Sequence, residues 1–135
     1  MKDNFDKAFE LVIGFEGGYE NDKDDPGGET KYGISKRAFP SLDIANITLD
    51  QAKNIYAVNY WRPMGCDNLP YPLDICVFDC AVNQGPSRAR QILAKSDCWQ
   101  AFLLNRMVHY QGLNKSKYFA GWINRVLNLY SKIGG

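Results

Sequence analysis

The sequence predicts a mainly α-helical domain with one short irregular or β-containing loop region after its first helix. Three observations predict it. Apolar residues recur at helical spacing through most of the chain. Capping and helix-breaking residues fall at the ends of those periodic segments. Between residues 19 and 34 the periodicity gives way to a stretch rich in Asp, Gly and Pro. The 135 residues suit one domain spanning 1–135, since two halves would each have too much surface for their volume.

A first helix is expected over residues 3–16. Phe5, Ala8, Phe9, Val12, Ile13 and Phe15 recur at its spacing, and Asp3 is a plausible N-cap. Gly17-Gly18 ends it, because glycine accepts the left-handed backbone of a helix terminus. Within the loop that follows, Thr30–Ile34 reads as a short strand or hairpin arm. Ser35 is placed to cap a short helix that stops before Pro40.

Thr48-Leu49-Asp50-Gln51 is a capping-box sequence opening a helix to about Trp61, ended by Pro63. Residues 70–84 carry Leu73, Val77, Cys80 and Ala81 on one stripe and should form the central, most buried helix. Gly85-Pro86 breaks the chain, and Pro86 suits the first turn of a helix over 86–95. Helices over about 97–112 and 116–132 follow. There is no internal repeat, low-complexity stretch or linker.

Composition excludes several classes. No run approaches the roughly 18 apolar residues of a membrane span, so no stable membrane insertion is expected. The formal net charge is +1, Lys and Arg read as scattered, and the one dense charged cluster, Glu20 to Glu29, is acidic. A nucleic-acid partner is therefore not expected. Met1 to Lys7 has no basic segment leading into an apolar run and no cleavage site, so synthesis in the cytoplasm without a signal peptide is expected. A target outside the cell then calls for another route of release. Cys66, Cys76, Cys80 and Cys98 fit no paired zinc pattern and are expected as buried free thiols. Cys76 and Cys80, i and i+4, share a helix face. The acidic loop fails the calcium-loop count, with Pro26 and Gly33 where ligands belong, so no metal and no cofactor are expected. His109, the single histidine, has no supporting nucleophile motif and reads as structural.

Glu16 is the residue with chemical interest. It ends the first helix, where partial negative charge disfavours a carboxylate. The acids of residues 20–29 repel a further negative charge, and an apolar setting from Phe15 would cost the charged form solvation. All three raise its expected pKa, and a carboxyl that keeps its proton near neutral pH can serve as a general acid. The plain alternative is a solvated acid at a helix end.

What shifts the balance is the segment that follows: Glu16-Gly17-Gly18-Tyr19, then Asn21-Asp22, Asp25-Pro26-Gly27-Gly28 and Thr30-Lys31-Tyr32-Gly33-Ile34. In order and spacing it resembles the signature of glycoside hydrolase family 108, the lysozyme-like muramidases that include phage endolysins and bacterial secretion-associated muramidases. The resemblance continues in Tyr60-Trp61, Leu69-Pro70, Pro72-Leu73, Phe78-Asp79, Ala81-Val82-Asn83, Gly85, Gly121-Trp122 and Asn124-Arg125. It implies a lysozyme-like α fold and hydrolysis of the β-1,4 bond between N-acetylmuramic acid and N-acetylglucosamine of bacterial peptidoglycan. Phage-driven host lysis is one setting it implies. Family members often carry a C-terminal peptidoglycan-binding portion. The resemblance assigns the catalytic acid to Glu16.

Glycosidases pair the acid with a second group across the sugar, about 5 Å away for retention or about 6.5–9.5 Å for inversion. The order Glu16, Asp25, Thr30 resembles the phage-type lysozyme arrangement. Asp25 would then act as base or electrostatic stabiliser and Thr30 would orient the attacking water. Asp22 and Asp24 compete for the Asp role, and Asp25 can equally shape the turn before Pro26-Gly27. Tyr19 and Tyr32 are candidates to stack on sugar rings or to pack under the loop. Asn83 and Gln84 are candidates to hydrogen-bond acetamido groups, or Asn83 to cap its helix before Gly85. Asp79 reads as a buried structural acid paired with Arg88 or Arg125. A monomer is expected. Lys36, Arg37, Arg88, Arg90, Lys95, Lys115, Lys117, Arg125 and Lys132 form a modest positive surface that favours approach to an anionic wall. The alternative function is a non-catalytic peptidoglycan-binding or secretion-assisting module.

Overall fold

The structure, a computed structural model, describes residues 4–16, 18–21 and 28–134, the side chains of residues 13–16 excepted. Six α-helices, one π-helical segment, two 3-10 turns and a small sheet make up the regular structure of these residues, in the mainly α, lysozyme-like arrangement expected.

Helix α1 spans Asn4–Glu16, so the chain leaves the helix where Gly17-Gly18 begins. The loop region then forms a three-stranded antiparallel sheet in the order β1 (Glu20–Asn21), β2 (Glu29–Lys31), β3 (Ile34–Ser35). Its register sets Glu20 opposite Thr30, and Thr30 opposite Ser35. The β2–β3 connection is the two residues Tyr32-Gly33, with φ of 51° and 75°. Positive φ at both positions matches the right-handed twist of a tight hairpin. The expected helix after Ser35 is a single turn instead. Ser35 accepts from the Phe39 N–H at 3.0 Å and, through its hydroxyl, from Ala38 at 3.1 Å. Ser35 itself belongs to β3, which leaves too few residues before Pro40 for more.

Helix α2 (Leu49–Tyr56) begins with the full capping box. The Thr48 hydroxyl accepts from the Gln51 N–H at 3.1 Å, and the Gln51 amide accepts from the Thr48 N–H at 2.9 Å. Residues 57–61 continue as a π-helix, closed by the Arg62 N–H donating to the Ala57 carbonyl at 2.9 Å. The wider turn carries Trp61 into the core, where it meets Phe5 at 5.4 Å and Phe78 at 5.5 Å between ring centroids. Its indole N–H donates to Asp67 at 2.8 Å.

Helix α3 (Leu73–Gln84) is the central one: every residue from Asp74 to Ala81 is buried. Phe78 is ringed by Phe5, Tyr56 and Trp61, edge to face, an arrangement that adds about 0.5–1.5 kcal/mol per pair beyond burial. Gly85 (φ 92°) breaks the chain, and α4 (Pro86–Ala94) starts on its proline. Helix α5 (Trp99–Gly112) packs on α3 and α4, and α6 (Ser116–Ile133) packs on α5 and reaches α3 through the Arg125–Asp79 pair. Three cysteines are buried as expected. Cys98 is not: it caps α5 in an extended conformation (φ −153°) and is exposed.

Candidate active site

Glu16 is the last residue of α1, and the sheet begins four residues later. The Glu16 side chain, with Asp22, Asp24 and Asp25, lies outside the described residues. Thr30 is half-buried at the centre of the middle strand, with a neighbour on each side.

Tyr19 is exposed, and its hydroxyl donates to the Glu29 carboxylate at 2.9 Å, bracing β1 against β2. That hydrogen bond, with some burial and the Glu29 charge, raises the Tyr19 pKa. Tyr32 is half-buried against the core, and its carbonyl accepts from the Tyr56 hydroxyl, fixing the hairpin tip to α2. Tyr19 thus offers a ring to solvent, whereas Tyr32 helps hold the sheet.

Asn83 and Gln84 close α3, both half-buried, and the Gln84 amide donates to the Asn83 Oδ1 at 3.1 Å. Behind them lies a buried ionic network. Asp79 accepts from Arg106 at 2.6 Å and from Arg125 at 3.0 Å. Burial alone would push the Asp79 carboxyl up, but the two guanidinium groups outweigh it by charge and hydrogen bonds and hold it below its usual range. Of the two partners expected for Asp79, Arg125 is present; Arg88 instead donates to Gln91 at 2.7 Å. Arg106 is the partner the sequence reading missed. Its signal was its place among Phe102, Leu103 and Tyr110 on the buried stripe of α5, where an arginine requires an acid.

Among the described residues, concavities border α6, one of them, of about 400 Å³, at its start beside Gln111, Asn114 and Phe119. Another, of about 340 Å³, lies between α5 and α6 and is almost wholly apolar, with Leu104, Met107, Leu127 and Tyr130 in its walls. A third, of about 270 Å³, is polar and runs from Asn83 to Trp122, Asn124, Arg125 and Asn128.

A mainly helical domain with a small three-stranded antiparallel sheet after its first helix has a lysozyme-like form. The sequence profile of glycosyl hydrolase 108 matches residues 9–85, more than half of the chain, and the chain belongs to that family. It therefore stands among the glycoside hydrolases. The structure of SagA from Brucella abortus is similar, with a TM-score of 0.80 at 28% identity, covering 98% of this chain and 94% of that one. No curated protein matches the sequence.

Proposed function

We propose that the protein is a muramidase that hydrolyses the β-1,4 bond between N-acetylmuramic acid and N-acetylglucosamine in peptidoglycan. Glu16 protonates the leaving glycosidic oxygen. Asp25 acts as base or stabilises the oxocarbenium-like transition state, and Thr30 orients the water. The observation that carries this reading is the position of Glu16 at the end of α1, directly before a sheet whose central strand holds Thr30. Membership of the family supports it. In this reading the chain works as a single-domain monomer, and as a phage endolysin it lyses the host once it reaches the wall.

The test is Glu16→Gln, assayed by turbidity and by reducing ends released from purified peptidoglycan. Loss of one general acid should lower the rate about a hundredfold to ten-thousandfold with the fold intact. Clearance at the parental rate would remove Glu16 from the mechanism. A parental protein that binds the wall but releases no reducing ends would be the non-catalytic module. Mass spectrometry of the products should find muramic acid at the reducing end.

A further inference from the structure

We propose that the polar cleft between the end of α3 and α6 is a binding subsite for an N-acetylated amino sugar, with the Asn83 side-chain amide as its fixed donor. The identity of the glycan rests on the muramidase reading; the site does not.

The argument begins with Arg106, which can only donate hydrogen bonds. Its Nε donates to the Tyr110 hydroxyl oxygen at 2.7 Å. That oxygen is then the acceptor, and the Tyr110 proton goes to the Asn83 Oδ1, 2.6 Å away. Arg106 Nη2, at 3.4 Å, and Gln84 Nε2, at 3.1 Å, donate to the same Oδ1. Rotating the Asn83 amide by half a turn would set its NH2 against three donors. Its orientation is therefore dictated by chemistry, and its Nδ2 finds no partner among the described residues. Asn83 also lines the cleft. A donor anchored through a buried ion network, with no acceptor among the described residues, is preorganised for a ligand that brings one.

The opposite wall comes from α6. Gly121, Asn124, Arg125 and Asn128 follow one another at i, i+3, i+4 and i+7, so they share one face. With Asn83, the described residues of the cleft include three primary amides, each able both to donate and to accept, and no carboxylate. Arg125 is tied to Asp79. Trp122 is held as a rigid wall, stacked on Tyr110 at 5.0 Å and on Tyr118 at 5.8 Å. Gly121 keeps the rim low, with nothing within 4 Å of where a Cβ would stand. Amides on a rigid aromatic wall match a sugar's hydroxyls and its acetamido group. A free volume of about 270 Å³ holds a single ring. The groove on the other flank of α6 is almost wholly apolar, with Gln100 as the one amide in its lining.

Asn83→Ala would strip acceptors from Tyr110 and Arg106 and risks unfolding, so the test uses the exposed side of the cleft. Asn124→Ala/Asn128→Ala and Gly121→Phe are compared with the parent for tetra-N-acetylchitotetraose binding by calorimetry. Side-chain NMR signals of Asn83 and Trp122 report where it binds. The parent should bind, shift those two signals, and ignore maltotetraose, which lacks acetamido groups. Both variants should keep the parental melting temperature and bind about tenfold or more weakly, since each removes contacts or volume from the cleft. Parental affinity in the variants, shifts confined elsewhere, equal binding of maltotetraose, or no binding by the parent would each overturn the subsite. If the variants bind as the parent does and the parent cuts peptidoglycan, the muramidase reading survives alone. Binding in the cleft without cutting leaves the subsite alone.

Discussion

Asp79→Asn is the sharpest probe of how α3 is fastened to the last two helices. Asp79 and Arg106 are both fully buried, and Arg125 is 12% exposed at its side chain. Together the three groups carry one net positive charge. The substitution keeps the size of the side chain but leaves two guanidinium groups facing each other, one of them with no access to water. Breaking a buried pair from one side costs about 3–5 kcal/mol, because the stranded charge keeps its desolvation penalty. A domain has only about 5–15 kcal/mol of stability in all. At about 3–5 °C per kcal/mol for a chain of this length, the melting temperature should fall by on the order of 10–20 °C. Urea titration followed by tryptophan fluorescence and far-UV circular dichroism measures the free energy directly. Asp6→Asn is the control: Asp6 meets Lys53 at 3.4 Å on the surface, with 74% of its side chain exposed. Such pairs contribute about 0–1 kcal/mol. If Asp79→Asn costs no more than the control, the triad is not what joins these helices, and the anchoring of Asn83 derived from it loses its foundation.

Three further outcomes follow from the same structure. The Asp79 carboxyl titrates below its unfolded value, so its contribution is complete above about pH 4 and is lost as the pH falls through the folded value. Urea midpoints between pH 7 and pH 2 should fall steeply at the acid end, and Asp79→Asn should flatten that fall; an unchanged slope would contradict the assignment. Burial pushes the Cys66 thiol up to about 12 and Cys80 to about 11, and raises Cys76 as well, whereas Cys98 is exposed. A disulfide reagent should therefore titrate one thiol in the native protein and four in urea, and rapid reaction of two or more would refute the burial. Thr48→Ala removes one half of the capping box and should cost about 1 kcal/mol by urea titration; no loss would mean that α2 is held by packing alone.

The features legible in the sequence were those with local causes. The capping box at Thr48 and Gln51 specifies its helix start through bonds only three residues apart. The Gly85-Pro86 break needs only a backbone that accepts positive φ and a ring that suits a first helical turn. Features set by tertiary packing were not legible. Nothing near Ala57 announces a π-turn; it exists because Trp61 must reach Phe5 and Phe78. The helix expected from residue 70 starts at Leu73, after both prolines. Both α4 and α5 pack against α3, so the choice of Arg106 over Arg88 depends on which side chain meets Asp79, for Arg106 a relation across 27 residues of chain. Likewise Asn83 and Gln84 could be read as amides at a helix end, but Asn124 and Asn128 join Asn83 only through the way α6 crosses.

The family profile ends at residue 85, yet the segment it covers is not self-sufficient. Residues 1–85 carry fourteen acids against eight Lys and Arg, whereas residues 86–135 carry eight Lys and Arg against one acid, Asp97. The charges that look scattered along the chain are therefore divided between its two parts. Asp79, in the acidic part, binds Arg106 and Arg125, both from the basic part. The orientation of Asn83 is likewise set by Tyr110 and Arg106, which lie beyond the profile. Residues 86–133 thus supply the counter-charges without which α3 would bury a bare carboxylate, and they fix the last polar side chains of the matched segment. The other six cations of the basic part, Arg88, Arg90, Lys95, Lys115, Lys117 and Lys132, are exposed, and exposed cations raise encounter rates with an anionic polymer at low salt, an effect that fades as salt screens it.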